Sequence, residues 1–164
     1  VMGSRGSVIP FFQQQMQSGK LTLTDARMTR FMITLEQAVE LVWHAFDDMV
    51  GGEIYIKKID SMKLPDIAEA VAPGAEHEMI GIRPGEKLHE QMIGEEDAPY
   101  CYDYGDHYKI LPSSHSWHID ENRIKNGKPV PEGFSYRSDT NEHWMSIDTL
   151  RTWIEENRTK IGKF

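Results

Sequence analysis

Cysteine is all but absent from this chain of 164 residues: Cys101 stands alone. No internal disulfide is possible, nothing calls for an oxidising compartment, and the reduced cytoplasm is the expected location. A surplus of cations is missing too, with 18 Lys and Arg against 26 Asp and Glu and a formal net charge of -8. That balance argues against a nucleic-acid partner, which calls for a basic face able to displace phosphate counterions. Any anionic ligand must instead be met by a local cluster of cations. No apolar run approaches the roughly 20 residues of a membrane span, no charged-then-apolar leader heads the chain, and neither repeats nor low-complexity tracts occur.

What is present suffices for one hydrophobic core, at 39% hydrophobic content. Helix and strand signals carry comparable weight, so the expected fold class is α+β, a mixed α/β arrangement. A short helix is expected over 8–18, with Pro10 in its first turn and Gly19 beyond its end. The strongest helical pattern covers 34–49: Leu35, Ala38, Val39, Val42, Phe46 and Met49 recur at three and four residues behind Thr34 and Gln37 at capping-box spacing. Gly51-Gly52 stops it, and 53–56 alternates as a strand. A helix over 64–71 has Pro65 in its first turn; a strand over 78–82, a short helix over 86–92 and a strand over 108–111 follow. Ser146 caps a last helix whose apolar face is Ile147, Leu150, Trp153 and Ile154. Between Pro112 and Trp144 the chain is polar and turn-rich. This divides it into a substrate-domain segment, 1–112, and a loop-rich tail with the last helix, 113–164.

Two runs are suited to a phosphorylated, polar ligand. In Gly3-Ser4-Arg5-Gly6-Ser7-Val8-Ile9-Pro10-Phe11-Phe12 small residues let the backbone approach a diphosphate, Arg5 adds a fork of donors, and the helix that follows presents free N–H groups. In Arg83-Pro84-Gly85-Glu86-Lys87-Leu88-His89-Glu90 a rigid turn at a strand end offers a bidentate donor and an acceptor. Arg27 and Arg30 lie ahead of the 34–49 helix, where they either neutralise phosphate or sit on a solvated loop. His115, His118 and Asp120 lack a fourth partner and the closed spacing of a metal site, and a solvated or structural role is the better reading. Acidic and aromatic neighbours of Cys101 would not stabilise a thiolate. His89 fits packing as well as it fits a ligand contact.

Those two runs, together with Leu23-Thr24-Asp25-Ala26-Arg27-Met28-Thr29-Arg30-Phe31 between them, resemble the carboxyl-terminal half of bacterial UDP-N-acetylglucosamine 4,6-dehydratases. These enzymes of polysaccharide and surface-sugar biosynthesis belong to the extended short-chain dehydrogenase/reductase superfamily. The three runs keep the family's order and spacing, and the resemblance covers roughly residues 1–112. Tyr136, Ser138-Asp139-Thr140-Asn141 and Trp144 resemble the tail of the capsule-type branch. The resemblance implies a substrate domain whose UDP-sugar pocket is lined by Val1, Met2, Gly3, Ser4, Arg5 and Thr24. Arg83 and Glu86 would then grip the nucleotide, with Arg30 a further candidate for the diphosphate. In the family, bound NADP or NAD oxidises the sugar at C4, water is eliminated across C5 and C6, and the hydride returns to C6.

This chain departs from the family in what it lacks. No strand runs through a glycine-rich turn into a helix to cradle a dinucleotide. The residues four after Tyr55, Tyr100, Tyr102, Tyr104, Tyr108 and Tyr136 are Ile59, Tyr104, Asp106, Tyr108, Pro112 and Thr140, so the family's Tyr-x-x-x-Lys pair is missing as well. The expectation is a substrate-binding portion without the Rossmann half, with no catalytic residue, no metal and no cofactor bound by this chain alone. Two other readings stand beside it: a free-standing UDP-sugar binder, and a truncated remnant acting as a structural or oligomerising protein. A surface shaped to pack on a missing half should be apolar and, when bare, should seek another copy, which makes a homo-oligomer the expected assembly.

Overall fold

The structure is a computed structural model that describes residues 1–163. In chain order its elements are α1 (Val8–Gln15), β1 (Lys20–Leu23), β2 (Thr29–Met32), α2 (Leu35–Asp48), β3 (Ile54–Lys57), β4 (Asp60–Lys63), α3 (Leu64–Val71), β5 (Glu76–Met79), β6 (Gln91–Ile93), β7 (Cys101–Asp103), β8 (His107–Ile110), α4 (Glu121–Ile124), β9 (Lys128–Pro129), β10 (Tyr136–Arg137) and α5 (Ile147–Glu156). Short 3-10 turns occupy Met16–Ser18, Glu95–Tyr100 and Ser114–Ile119. The class is α+β, as the mixed signals imply. Rather than closing around one core, the chain alternates between two compact units. It leaves the first at Thr34, returns at Asp60, leaves again after Glu90 and returns at Ser138. Residue 112 lies inside the second unit.

The first unit packs α1, α3 and α5 around two small sheets, β1 with β5 in parallel and β2 with β4 antiparallel. Its core is apolar: Ile9 and Phe12 of α1, Leu21 and Leu23 of β1, Ile67 and Ala68 of α3, and Leu150 and Ile154 of α5 are all buried. Leu21 and Leu23 are two apart, as one face of a strand demands, and Ile9 with Phe12, Ile67 with the buried Val71, and Leu150 with Ile154 are three or four apart, as one face of a helix demands. Gly19, at φ 72°, takes the left-handed conformation that ends the first helical run. Ser146 caps α5 through its Oγ, which accepts a hydrogen bond from the Thr149 N–H at 3.1 Å.

Three separate stretches of this unit meet at buried hydroxyls. Thr29 Oγ1 of β2 lies 2.6 Å from Ser138 Oγ and 2.8 Å from His89 Nδ1. The Glu90 N–H donates to Ser138 Oγ at 2.9 Å, and the Ser138 N–H donates to the Glu90 carbonyl at 2.9 Å. The Thr29 N–H donates to the Leu88 carbonyl. Residues 88–90 therefore lie beside β2 in a bend, and the helix expected over 86–92 does not form: the polar groups it would use internally are taken by distant partners. Further along, Asn141 donates to Ser61 Oγ at 2.9 Å, and Ser61 exchanges backbone bonds with His143 and Met145. The strand expected over 78–82 is also displaced, forming at Glu76–Met79 where β1 supplies a partner.

The second unit is a four-stranded antiparallel sheet in the order β3-β8-β7-β9, with α2 against β3 and the β6–β10 pair beside it. Tyr136 closes a loop by accepting from the Ile59 N–H at 2.9 Å and donating to the Ile59 carbonyl at 3.0 Å. Helix α2 is held by its polar side. Lys109 of β8 is buried, with Nζ 2.9 Å from Asp48 Oδ2 and 4.5 Å from the centre of the Tyr104 ring. The Tyr55 hydroxyl donates to the same carboxylate at 2.7 Å, and Lys125 pairs with its other oxygen. Burial alone would raise the Asp48 pKa. The hydrogen bonds from Lys125, Lys109 and Tyr55 outweigh it and hold the carboxyl well below the ordinary range. None of the apolar residues of α2 is buried, so the stripe that ordinarily marks a core face lies on the surface here.

Two consequences are measurable by urea denaturation. Ser138→Ala leaves the Glu90 N–H and the Thr29 hydroxyl short of a buried partner and should cost about 2 kcal/mol; a loss under about 0.5 kcal/mol would show the junction to be incidental. Asp48→Ala strands the Lys109 ammonium and should cost about 3 kcal/mol, most of it regained in the Asp48→Ala/Lys109→Met double variant. Because the Asp48 pKa is depressed in the folded state, its stabilisation is complete above the unfolded value of about 3.9 and is lost as pH falls below it. The difference between wild type and Asp48→Ala should therefore shrink between about pH 5 and pH 2.

Candidate functional site

A cleft of about 350 Å³ opens in the first unit. Its polar wall is Thr22 and Thr24 at and after the end of β1, Arg30 of β2, and Arg83 and Glu86 on the loop after β5; its apolar wall includes Phe11 and Phe12 of α1, Leu64 of α3 and Ile80. Four of the residues singled out in the sequence, Thr24, Arg30, Arg83 and Glu86, are thus brought together from separate runs. The position of each follows from local chemistry. β1 carries Thr22 and Thr24 on one side and buries Leu21 and Leu23 on the other. Arg83-Pro84-Gly85-Glu86 forms a turn closed by the Glu86 N–H donating to the Arg83 carbonyl at 3.0 Å. Pro84 fixes its second position, and Gly85, at φ 82°, meets the positive φ of its third.

The three arginines differ in what their guanidinium groups are free to do. Arg30 is committed to the scaffold: Nη1 donates to the carbonyls of Thr29 at 2.8 Å and Leu88 at 3.2 Å, and Nε lies 3.5 Å from Glu90 Oε1. It contributes a fixed positive charge to the cleft wall more than a set of open donors. Arg83 is exposed at the mouth, and its backbone N–H donates to Glu86 Oε2 at 3.3 Å, tying the two candidate grip residues into one turn. Arg5 is exposed and outside the cleft.

The remaining amino-terminal residues are arranged differently. Val1 and Met2 line a second, smaller cleft of about 210 Å³ that shares Val8 and Arg30 with the first and includes Ser7. Met2 is itself part of the core, and its N–H donates to the Ile33 carbonyl at 2.8 Å. Gly3, Ser4 and Arg5 line neither cleft. Ser4 turns back on Val1, with its Oγ donating to the Val1 carbonyl at 2.9 Å. Gly3, at φ 69°, lies where a Cβ would come within 2.9 Å of Trp153, so its smallness serves packing against α5. Ser7 Oγ is buried and has no hydrogen-bond partner among the described residues.

Thr22 and Ile80 are cleft residues that sequence reasoning missed, and Phe11 and Phe12 belong to the amino-terminal run without having been singled out as contacts. Thr22 was signalled by strand alternation with Thr24, and Phe11 by its place one residue after the helical proline. Ile80 carries no signal of its own, because its N–H reaches the Leu23 carbonyl only through the β1–β5 pairing. His89 is a scaffold residue, bonded to Thr29 and 3.7 Å from Asp139. The His118 ring lies against Tyr100, and Asp120 caps α4. Cys101 is buried, and burial followed by the nearby Asp97 and Asp103 pushes its thiol up to about 12, so it stays protonated at neutral pH.

A family model described as polysaccharide biosynthesis protein matches residues 1–112. Over 92% of its length the chain is 48% identical to a UDP-N-acetylglucosamine 4,6-dehydratase (inverting) from Campylobacter jejuni, covering 47% of that protein. It is 40% identical over 115 residues to a UDP-glucose 4-epimerase from Rickettsia canadensis, covering 34% of it. Among solved structures, Pen from Bacillus thuringiensis superimposes with a TM-score of 0.80 at 35% identity, over 96% of this chain and 48% of that one. The chain spans about half the length of the dehydratase and of Pen, and about a third of the epimerase. By family match, sequence identity and fold together, this chain belongs to the polysaccharide biosynthesis protein family.

Proposed function

We propose that this chain is the nucleotide-sugar-gripping portion of a UDP-N-acetylglucosamine 4,6-dehydratase-like protein and performs no dehydration by itself. The observation that carries the reading is the convergence of Thr24, Arg30, Arg83 and Glu86 on one cleft. A UDP-sugar needs cations for its diphosphate, acceptors and donors for ribose and sugar hydroxyls, and an apolar surface for its base. Arg83 offers an open bidentate donor for phosphate oxygens. Arg30 holds positive charge in the wall, Glu86 accepts from a hydroxyl, Thr24 both donates and accepts, and the Phe11 ring offers a flat face. Burying most of a ligand in such a cleft excludes water from these contacts and strengthens them.

The residues present do not fit the nicotinamide cofactor of the longer relatives. Among the described residues no strand passes through a glycine turn into an α-helix: β2 reaches α2 through Ile33 and Thr34, β4 runs directly into α3 with Lys63 as the capping position, and the single glycine after β6 leads only into a short 3-10 turn. Nor does a tyrosine and lysine pair face the cleft. Tyr104 and Lys109 do meet in the second unit, but the ammonium sits over the ring while the hydroxyl donates to the Ile124 carbonyl at 2.8 Å.

Isothermal titration of the chain with UDP and with UDP-N-acetylglucosamine tests the reading. Binding should weaken at least tenfold in Arg83→Ala, about 1.4 kcal/mol, and stay unchanged in Arg5→Ala, which lies outside the cleft. Equal affinity in Arg83→Ala, or no binding of UDP by the wild type, would overturn it.

A further inference from the structure

Thr22 lines the cleft, and the bonds around it fix the role its hydroxyl can play there. The carbonyls of Gly19 and Leu23 accept from the Glu76 and Ile80 N–H groups of the neighbouring segment. Backbone groups alternate sides along a strand, so Thr22 turns its own to the other edge of β1. At that edge the last residue of α1 takes the place of a pairing strand. The Thr22 N–H donates to Gln15 Oε1 at 3.0 Å, and Gln15 Nε2 donates to Thr22 Oγ1 at 2.7 Å.

These two bonds cannot be exchanged. A backbone N–H only donates, so the amide atom that faces it is the oxygen. The atom that faces Oγ1 is then the amide nitrogen, which also only donates. Oγ1 is thereby the acceptor, and its proton must go elsewhere. Among the described residues Oγ1 has no other partner. Gln15 therefore holds the Thr22 hydroxyl as a donor with its proton unused, on a side chain that lines the cleft.

Position selects the ligand atom that this donor meets. Gln15 follows Phe12 by three residues and Phe11 by four along α1, so the three lie on one side of that helix. Thr22 accordingly stands beside the phenylalanine wall, where the reading above puts the base, while the cationic Arg30 and Arg83 serve the diphosphate.

We propose that Thr22, oriented by Gln15, selects a uracil base over a cytosine base by donating its hydroxyl proton to the O4 carbonyl of the ring. The inference rests on the nucleotide-sugar reading of the cleft. Cytosine carries an amino group in place of O4, so two donors would face each other with no acceptor between them. A site built around a hydrogen bond rejects the analogue that cannot complete it, because a polar group is left unpaired. Thr22 is the specificity-determining residue and Gln15 the positioning residue.

Parallel isothermal titrations with UDP and CDP test this, since the two ligands share the ribose and the diphosphate and the ratio of their affinities reads the base alone. The wild type should prefer UDP about tenfold or more. Thr22→Val keeps the shape of the side chain without the hydroxyl and should bring the ratio close to one. Gln15→Glu is the sharper variant. A carboxylate has no proton to donate, so it accepts from both the Thr22 N–H and the Thr22 hydroxyl and turns the lone pairs of Oγ1 toward the ligand. The preference should then shift toward CDP by about tenfold or more. The added negative charge weakens both diphosphates alike and drops out of the ratio. Urea midpoints verify that each variant is folded.

Equal binding of UDP and CDP by the wild type, or a ratio that neither variant moves, would overturn the proposal while leaving the cleft as a nucleotide-sugar site. A ratio moved by Thr22→Val and untouched by Gln15→Glu would overturn the part assigned to Gln15. If Gln15→Glu does not fold, Thr22→Val decides alone, and a retained preference for UDP overturns the proposal. No binding of UDP by the wild type would remove the reading of the cleft and this inference with it.

Discussion

The first unit depends on one buried junction of hydroxyls. Thr29, Ser138 and His89 come from stretches of chain separated by up to 109 positions, and their side chains meet within 2.6 to 2.8 Å. Buried polar groups are tolerated only when fully paired, and a fully paired set fixes its members in one arrangement. Here it holds residues 88–90 against β2, brings the Leu88 carbonyl to the Arg30 guanidinium, and anchors the end of the loop whose start is the Arg83 turn. The polar wall of the cleft is therefore positioned by contacts that never touch a ligand.

This explains the division of labour among the arginines. Arg30 is fixed because its donors are spent on the scaffold, whereas Arg83 stands at the mouth of the cleft on a turn stiffened by Pro84 and Gly85. A cationic wall with one open fork suits a diphosphate in a chain whose net charge is -8. The long-range field of such a chain repels anions, so an anionic ligand would have to be held by short-range contacts.

Much of this was legible in the sequence, and the exceptions share a cause. α3 and α5 form where Pro65 and Ser146 place their first turns, and Arg83-Pro84-Gly85-Glu86 turns as its residues require, because these are local effects. The helix expected over 86–92 fails because Thr29 and Ser138, distant in sequence, claim its backbone groups. β5 begins two residues early because β1 is the partner that defines it. The repeat from Leu35 to Met49 does make a helix, but periodicity specifies a face without saying what covers it. Within the site, Arg83 and Glu86 could be found from composition and spacing alone. Ile80 could not, since only the β1–β5 pairing carries it to the cleft.

Nitrogen-15 NMR of the chain during titration with UDP-N-acetylglucosamine tests the central claim most directly, because it reads each arginine separately. The account predicts that the Arg83 side-chain Nε–H and the backbone amides of Thr24 and Glu86 shift together along one binding curve. The Arg30 side chain should move little and Arg5 not at all. Shifts centred on Arg5, or confined to the second unit, would contradict the assignment of the cleft as the nucleotide-sugar site.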